Sequence, residues 1–132
     1  MRVIDKIAWI HIVNRKVLFL RSKGRDMFYM PGGKREVGET DVKALTRELK
    51  EELGIDFKSE TAKHLGTFKA LAHGQKEPTE VQSTCYSGDY EGAFVPQSEI
   101  EEIAWFSSQD RNEQTPLGQL VIDFLHEKYL ID

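Results

Sequence analysis

The stretch of sequence that decides the fold is GGKREVGETDVKALTRELKEELGI, residues 32–55. In its second half, apolar residues recur at steps of three and four, which is the period of an amphipathic helix. They are Val42, Leu45, Leu49 and Leu53. Gly54 follows as a residue able to take a positive φ at a helix end, and Ile55 can supply the apolar contact that accompanies such an end. The sequence therefore predicts a helix from Thr40 to Leu53.

The helix carries an unusual group of carboxylates, Glu48, Glu51 and Glu52. On a helical wheel at about 100° per residue they span an arc of about 100°, and Glu48 and Glu52 border the apolar stripe. Like charges at this spacing repel, by a few tenths of a kcal/mol on an exposed helix and by roughly 2–3 kcal/mol at a partly buried edge. A divalent cation would reverse that repulsion, because Mg²⁺ prefers oxygen ligands. The alternative is a solvated acidic face.

The segment upstream of the helix favours the interpretation of these glutamates as a cation site. Gly32 and Gly33 permit a backbone that passes close to a ligand, and Lys34 offers a point charge to a phosphate. Glu39 adds a fourth carboxylate just before the helix. Arg47 lies on the helix face next to the acidic group, and we predict that it pairs with Glu39 and so fixes the loop to the helix.

These residues resemble the Nudix box, G-x5-E-x7-R-E-U-x-E-E-x-G-U, in which U is aliphatic. Gly33, Glu39 and the run Arg47–Ile55 satisfy every specified position, so the box spans residues 33–55. The resemblance extends loosely over most of the chain, with strands before the box and strands plus a helix after it. It is closest to the small MutT-like members.

The resemblance implies an α/β fold, an α/β/α sandwich with a mixed β-sheet between helices, formed by a single domain over residues 1–132. It implies a pyrophosphohydrolase that cleaves a nucleoside di- or triphosphate, or a nucleoside diphosphate linked to another moiety, by attack of water at phosphorus. The metal ligands carried over from the family are Glu48, Glu51, Glu52 and Glu39, and the catalytic residues include Arg47, Glu51 and Glu52. Mg²⁺ is the expected cofactor, with Mn²⁺ as a possible substitute.

The family usually adds an acidic residue from a later loop, as a further ligand or as the general base. No fixed motif marks this residue, and the candidates are Glu99, Glu101 and Glu102. The alternation of apolar residues around them does not separate the three. We favour Glu99 and Glu102.

Four residues are candidates for substrate binding: Gly32, Gly33, Lys34 and Arg21. Arg21 belongs to a basic cluster with Lys23 and Arg25, for which a solvated loop is the alternative to phosphate contact. His64 and His73 are interpreted as structural or solvated. Cys85 is interpreted as a small buried hydrophobe.

Composition bounds the class of protein. The chain has 132 residues, 18 Lys and Arg against 22 Asp and Glu, and a formal charge of −4. This length suits one domain, the single cysteine excludes an internal disulfide, and no apolar run approaches the roughly 20 residues of a membrane span. Mild acidity argues against binding to polymeric nucleic acid. We expect a cytoplasmic protein, monomeric or homodimeric, that acts on a small nucleotide.

The remaining segments predict further elements. Strands are expected in Val3–Val13, Val17–Leu20, Leu65–Leu71, Val81–Tyr86 and Ile103–Phe106. Asn14 and Arg15 are expected to form a hairpin turn, and Phe28–Met30 is a further short apolar run. Thr115 and Pro116 have the character of a helix start. This order of strands, helix, strands and helix predicts a mixed sheet with helices packed on it.

The substrate and the class of function each have an alternative. ADP-ribose or another nucleotide sugar, or a dinucleotide polyphosphate, could replace the nucleoside triphosphate as the substrate. The short chain favours the nucleoside triphosphate, because it lacks the separate N-terminal domain seen in many ADP-ribose hydrolases. A non-catalytic Nudix domain that senses a nucleotide is the alternative to an enzyme. All four box glutamates are present, and this favours catalysis.

Overall fold

The computed structural model describes residues 1–72, 74–97 and 99–132, so the interpretation of His73 lies outside the described residues. The strands are β1 (Arg2–Trp9), β2 (Ile12–Val13), β3 (Lys16–Ser22), β4 (Gly32–Lys34), β5 (Asp56–Phe57), β6 (Lys63–Leu71), β7 (Thr79–Ser87), β8 (Tyr90–Glu91) and β9 (Ile100–Phe106). The α-helices are α1 (Asp41–Leu53) and α2 (Pro116–Glu127), and short 3-10 helices cover Ser59–Thr61 and Ser108–Glu113. None of the helices in these described ranges is long and apolar enough to cross a membrane.

The largest sheet has the strand order β4-β1-β7-β6. Its central strands β1 and β7 run parallel, whereas β4 and β6 pair antiparallel to their neighbours, so the predicted mixed sheet is confirmed. The other strands form an antiparallel β2-β3-β9 sheet and a β5-β8 pair. The chain passes from the first sheet to the second near His11, whose carbonyl accepts a hydrogen bond from the Leu18 amide. The predicted Val3–Val13 segment is therefore two strands on two sheets.

The two helices cover opposite faces of the strands. On β1, Ile7 and Trp9 pack with the apolar stripe of α1, whereas Ala8 packs with the apolar face of α2. On β3, Leu18 and Phe19 divide between the two cores in the same way. This alternation is the period of a strand buried on both faces. The predicted α/β/α sandwich is confirmed.

Local sequence chemistry sets the ends of the helices. The Thr40 side chain accepts a hydrogen bond from the Lys43 amide and caps the start of α1. Gly54 ends that helix with φ 68°, as predicted, and its amide donates to the Lys50 carbonyl. Thr115 caps α2 in the same manner, directly before the proline at its first turn.

The predicted turn at Asn14 and Arg15 is also confirmed. Both residues have positive φ, 51° and 63°, as a two-residue turn between twisted antiparallel strands requires. The Phe28–Met30 run does not form a strand, and it is joined to its neighbours only by single bridges from Phe28 and Tyr29. Cys85 is fully buried, and burial raises the pKa of its thiol to about 12, so it is the inert apolar residue that was predicted.

Candidate active site

Two glycines begin β4, next to α1. Gly32 has φ 138°, and a Cβ atom on it would lie 2.1 Å from the Ile7 carbonyl oxygen. A Cβ atom on Gly33 would lie 2.5 Å from Cδ of Glu48. At Gly32 the obstacle is backbone, so no side chain fits, whereas at Gly33 a side chain would have to displace the carboxyl group of Glu48. The carboxyl group of Glu48 therefore packs directly against the backbone of β4.

Glu52 is the buried carboxylate of the site, with 8% of its surface exposed. Its Oε1 accepts a hydrogen bond from the Gly32 amide at 2.8 Å, and the described residues give it no ion-pair partner. Burial raises the pKa of Glu52 to about 8, and the neighbouring charge of Glu48 adds to the shift. Burial also raises the pKa of Glu48, despite the nearby Arg47 guanidinium. The positive groups of the protein near Glu48 and Glu52 therefore do not offset the cost of ionising both carboxyl groups.

Arg47 joins the loop to the helix. Its guanidinium donates to both oxygens of Glu39 at 2.7 and 2.8 Å, which confirms the predicted pair. It also donates to Glu48 at 2.9 Å, to Glu51 at 3.3 Å and to the Lys34 carbonyl at 3.0 Å. The hydrogen bonds from Arg47 lower the pKa of Glu39 to about 2. Glu39 is thus a fixed anion that holds the arginine in place.

Within the described ranges, no three His, Cys, Asp or Glu side chains are arranged together to hold a metal ion. Glu39 and Glu51 are turned to Arg47, while Glu48 and Glu52 line the adjoining cavity. These two carboxylates supply the oxygen ligands that Mg²⁺ prefers. The buried and unpaired state of Glu52 also fits a cation, because a buried carboxylate without a counter-charge is costly.

A second polar network holds the loop against the large sheet. Arg35 donates to Asp41 at the start of α1 and to Asp5 on β1 at 2.8 Å. The Tyr86 hydroxyl on β7 donates to the other oxygen of Asp41 at 2.7 Å. The first turn of α1 is thereby fastened to two strands. Sequence analysis missed this network, because its members lie far apart in the chain and outside the specified positions of the motif.

A cavity of about 390 Å³ opens beside the carboxylates. One end is polar, and its lining includes Glu48, Glu52, Glu99 and Lys6. The remainder is largely apolar, with a lining that includes Met27, Met30, Leu71, Val81 and Leu117, but it also carries Arg25, Asp26 and Gln75. Its floor is the side of the large sheet that faces α2. Sequence analysis did not single out Lys6, because a lone lysine in a strand has no distinguishing pattern.

The structure separates the two favoured late acids. Glu99 lines the cavity, and its charge contributes to the raised pKa of Glu52. Glu102 lies opposite Arg21 on β3 and forms an ion pair with it at 3.0 Å. Arg21 also donates to the Arg25 carbonyl at 3.1 Å, and neither Arg21 nor Glu102 is among the described residues that line the cavity.

The other candidate residues for substrate binding lie near the carboxylates. Gly32 and Gly33 line the cavity. Lys34 is exposed at the end of β4, directly opposite Lys6 on β1, and is not among the described residues that line the cavity. The Nudix-box residues thus meet at one place, and Arg21 does not join them.

Solved structures with the same fold include several MutT proteins. The MutT protein of Methanosarcina mazei superposes with a TM-score of 0.76 at 19% identity, over 97% of this chain and 96% of that protein. The E. coli ORF135 protein superposes with a TM-score of 0.74 at 23% identity, over 97% of this chain and 92% of that protein. These likenesses define the class of fold.

The NUDIX domain family matches residues 5–124. A relative from Bacillus subtilis, described as the uncharacterized Nudix hydrolase YvcI, is 32% identical over 113 residues, which is 83% of this chain and 71% of the relative. The chain therefore belongs to the Nudix family and is a Nudix hydrolase. Hydrolases of this family are pyrophosphohydrolases of small nucleotide substrates, and they generally use divalent metal ions.

Proposed function

We propose that this protein is a Mg²⁺-dependent pyrophosphohydrolase of a nucleoside triphosphate. The observation that carries the proposal is the buried carboxylate of Glu52, which faces the cavity with Glu48 and has no ion-pair partner among the described residues. A divalent cation at this position would satisfy the charge of both carboxylates. It would supply positive charge beside the phosphate oxygens and activate water for attack at phosphorus.

The ligand set follows from the contacts. Glu48 and Glu52 already line the cavity, and both belong to the set. Glu51 is 56% exposed and held to Arg47 only by a 3.3 Å contact, so it can turn toward the cation at small cost. Glu39 supports the site through Arg47, because its two short contacts with that guanidinium keep it in place.

Glu99 is the better candidate for the general base. It lines the cavity from the segment just before β9. A carboxylate there can take a proton from a water molecule that attacks the substrate. Glu102 and Arg21 instead satisfy each other on the β3-β9 sheet, and we assign them a structural role.

The shape and lining of the cavity favour a nucleotide. Its volume of about 390 Å³ lies in the range of small-molecule sites. The polar end suits phosphates, and the apolar remainder suits a base and a sugar. Lys34 is exposed directly opposite Lys6 in the strand register and offers a further positive charge to the phosphates of a triphosphate.

A substrate panel tests this function. Nucleoside triphosphates, nucleotide sugars with ADP-ribose, and dinucleotide polyphosphates are incubated with Mg²⁺, with Mn²⁺ or with EDTA, and the products are separated by chromatography. Heavy-oxygen water locates the phosphorus that is attacked. We expect a triphosphate to be the best substrate, with no turnover in EDTA or in Glu52→Gln. Nucleotide binding without Mg²⁺-dependent product release would indicate a sensor instead.

A further inference from the structure

Lys6 is a positive charge without a partner at the polar end of the cavity. It lies in the middle of β1, half-buried, on the face that borders the cavity. Its neighbours across the strands are Lys34 on β4 and Ser83 on β7. Among the described residues, no hydrogen bond or ion pair engages its ammonium group. Because like charges on opposed strands repel, an anion beside Lys6 and Lys34 would stabilise this part of the sheet.

The neighbouring carboxylates do not neutralise Lys6. Glu52 accepts its hydrogen bond from the Gly32 amide, and Glu48 is bound by Arg47. Burial lowers the pKa of Lys6, and the charges of Lys34 and Arg25 act in the same direction, against those of Glu52 and Glu48. Because neither carboxylate forms an ion pair with the ammonium group, that group can bind a further anion from the cavity.

The floor of the cavity has a fixed chemical order along β1. Its successive rows are Ala8 with Gly32, Lys6 with Ser83, and Ile4 with Val81. The first row adjoins the carboxylate of Glu52, the second carries the cation, and the third is apolar. Residues on one face of a strand are about 7 Å apart at every second position. The chemical order along the floor is that of a nucleoside phosphate, in which the outer phosphate, the inner phosphate and the nucleoside follow one another.

We propose that Lys6 binds the phosphate group nearest the nucleoside, between the carboxylate end and the apolar end of the cavity. The proposal rests on the proposed function, because it takes Glu48 and Glu52 to hold the reacting end of the substrate. Lys6 then determines specificity, since a ligand needs an anionic phosphate directly beside its nucleoside to reach both ends of the cavity.

Nucleotide binding in the absence of metal tests this proposal. Nucleoside 5′-monophosphates and their matched nucleosides are titrated in EDTA, and binding is followed by NMR shifts of the amides of β1 and β7. We expect the wild-type protein to bind at least one monophosphate more tightly than its nucleoside. Lys6→Gln should weaken that monophosphate roughly 10- to 100-fold, as expected for loss of a charged hydrogen bond, and should leave the nucleoside unchanged. Lys6→Arg should recover part of the difference.

Lys69→Gln is the matched control. Lys69 is exposed on β6 and pairs with Gln82, on the opposite face of the same sheet. The Lys69→Gln variant should bind the monophosphate with the affinity of the wild type. Equal monophosphate affinity in Lys6→Gln and Lys69→Gln would overturn the proposal, and so would a wild-type protein that binds no monophosphate more tightly than its nucleoside.

A second measurement separates this proposal from the proposed function. With Mg²⁺ and the best substrate of the panel, Lys6→Gln should raise KM by a similar factor and leave the half-saturating Mg²⁺ concentration unchanged. A shift in Mg²⁺ dependence with no change in KM would assign Lys6 to the support of Glu52 and overturn the proposal. Absence of turnover in the wild type would instead contradict the proposed function, whereas the EDTA titration would still decide the role of Lys6.

Discussion

Replacement of Glu52 by glutamine should make the metal-free protein more stable. The folded pKa of Glu52, about 8, lies above its ordinary value of 4.5. The folded state therefore binds more protons than the unfolded state between these values, and stability falls as pH rises through this window. At pH 7 the proton that this carboxyl takes up on folding costs about 3 kcal/mol, from about 2.5 pH units at 1.36 kcal/mol each. Glutamine removes this cost and can still accept from the Gly32 amide.

We expect Glu52→Gln to gain between about 1 and 3 kcal/mol at pH 7, or on the order of 5–10 °C in Tm. At pH 5 the gain should shrink to about 1 kcal/mol or less, because the carboxyl of the unfolded chain is then near its own pKa and the proton taken up on folding costs little. Thermal unfolding in EDTA, followed by circular dichroism at pH 5, 7 and 8, measures this difference. Glu60→Gln, a change at an exposed glutamate, is the control and should leave Tm nearly unchanged.

Addition of Mg²⁺ should reverse the order of stability of the wild type and Glu52→Gln. The cation should raise the Tm of the wild type and have little effect on Glu52→Gln, because ligands that bind only the folded state stabilise it. The reasoning is refuted if Glu52→Gln is less stable than the wild type in EDTA at pH 7 and 8. A gain that is equal at pH 5 and pH 8 would also refute it, since the effect would then not come from ionisation.

Four further substitutions test the geometry of the site. Gly33→Ala should displace the Glu48 carboxyl and lower kcat at least 10-fold, with a Tm within about 5 °C of the wild type; a kcat near that of the wild type would contradict the close contact. Arg47→Lys should lose the bidentate contact with the loop, which we expect to lower stability by about 1–2 kcal/mol, measured by urea unfolding. Glu99→Gln should lower kcat by 10²- to 10⁴-fold, as expected for loss of a general base, whereas Glu102→Gln should change it less than about threefold because its partner lies outside the cavity. Equal losses in the two variants would contradict the choice of Glu99.

The local part of the fold could be predicted from the sequence, because short-range chemistry controls it. Gly54 ends α1 with a positive φ, and Asn14 and Arg15 make the turn between β2 and β3. The ion pair between Arg47 and Glu39 could be predicted because the motif fixes the positions of both residues relative to one helix. These predictions depend on spacing along the chain.

The contacts that the sequence did not indicate depend on strand register. Glu99 and Glu102 are three residues apart, and only the pairing of β9 with β3 places Glu102 opposite Arg21. Lys6 faces the cavity because β1 lies between β4 and β7. A single sequence gives little information about such pairings, since the partners are distant along the chain and any one strand fits several neighbours.

The central claim is that Glu48 and Glu52 hold a divalent cation at the polar end of the cavity. Anomalous diffraction from crystals grown with Mn²⁺ and a nucleotide tests it most directly. We predict an anomalous peak within roughly 2.0–2.3 Å of carboxylate oxygens from both residues, with a phosphate oxygen of the nucleotide as a further ligand. A nucleotide bound in the cavity with no peak between these carboxylates, in crystals of a protein that turns over the same nucleotide in solution, would contradict the account.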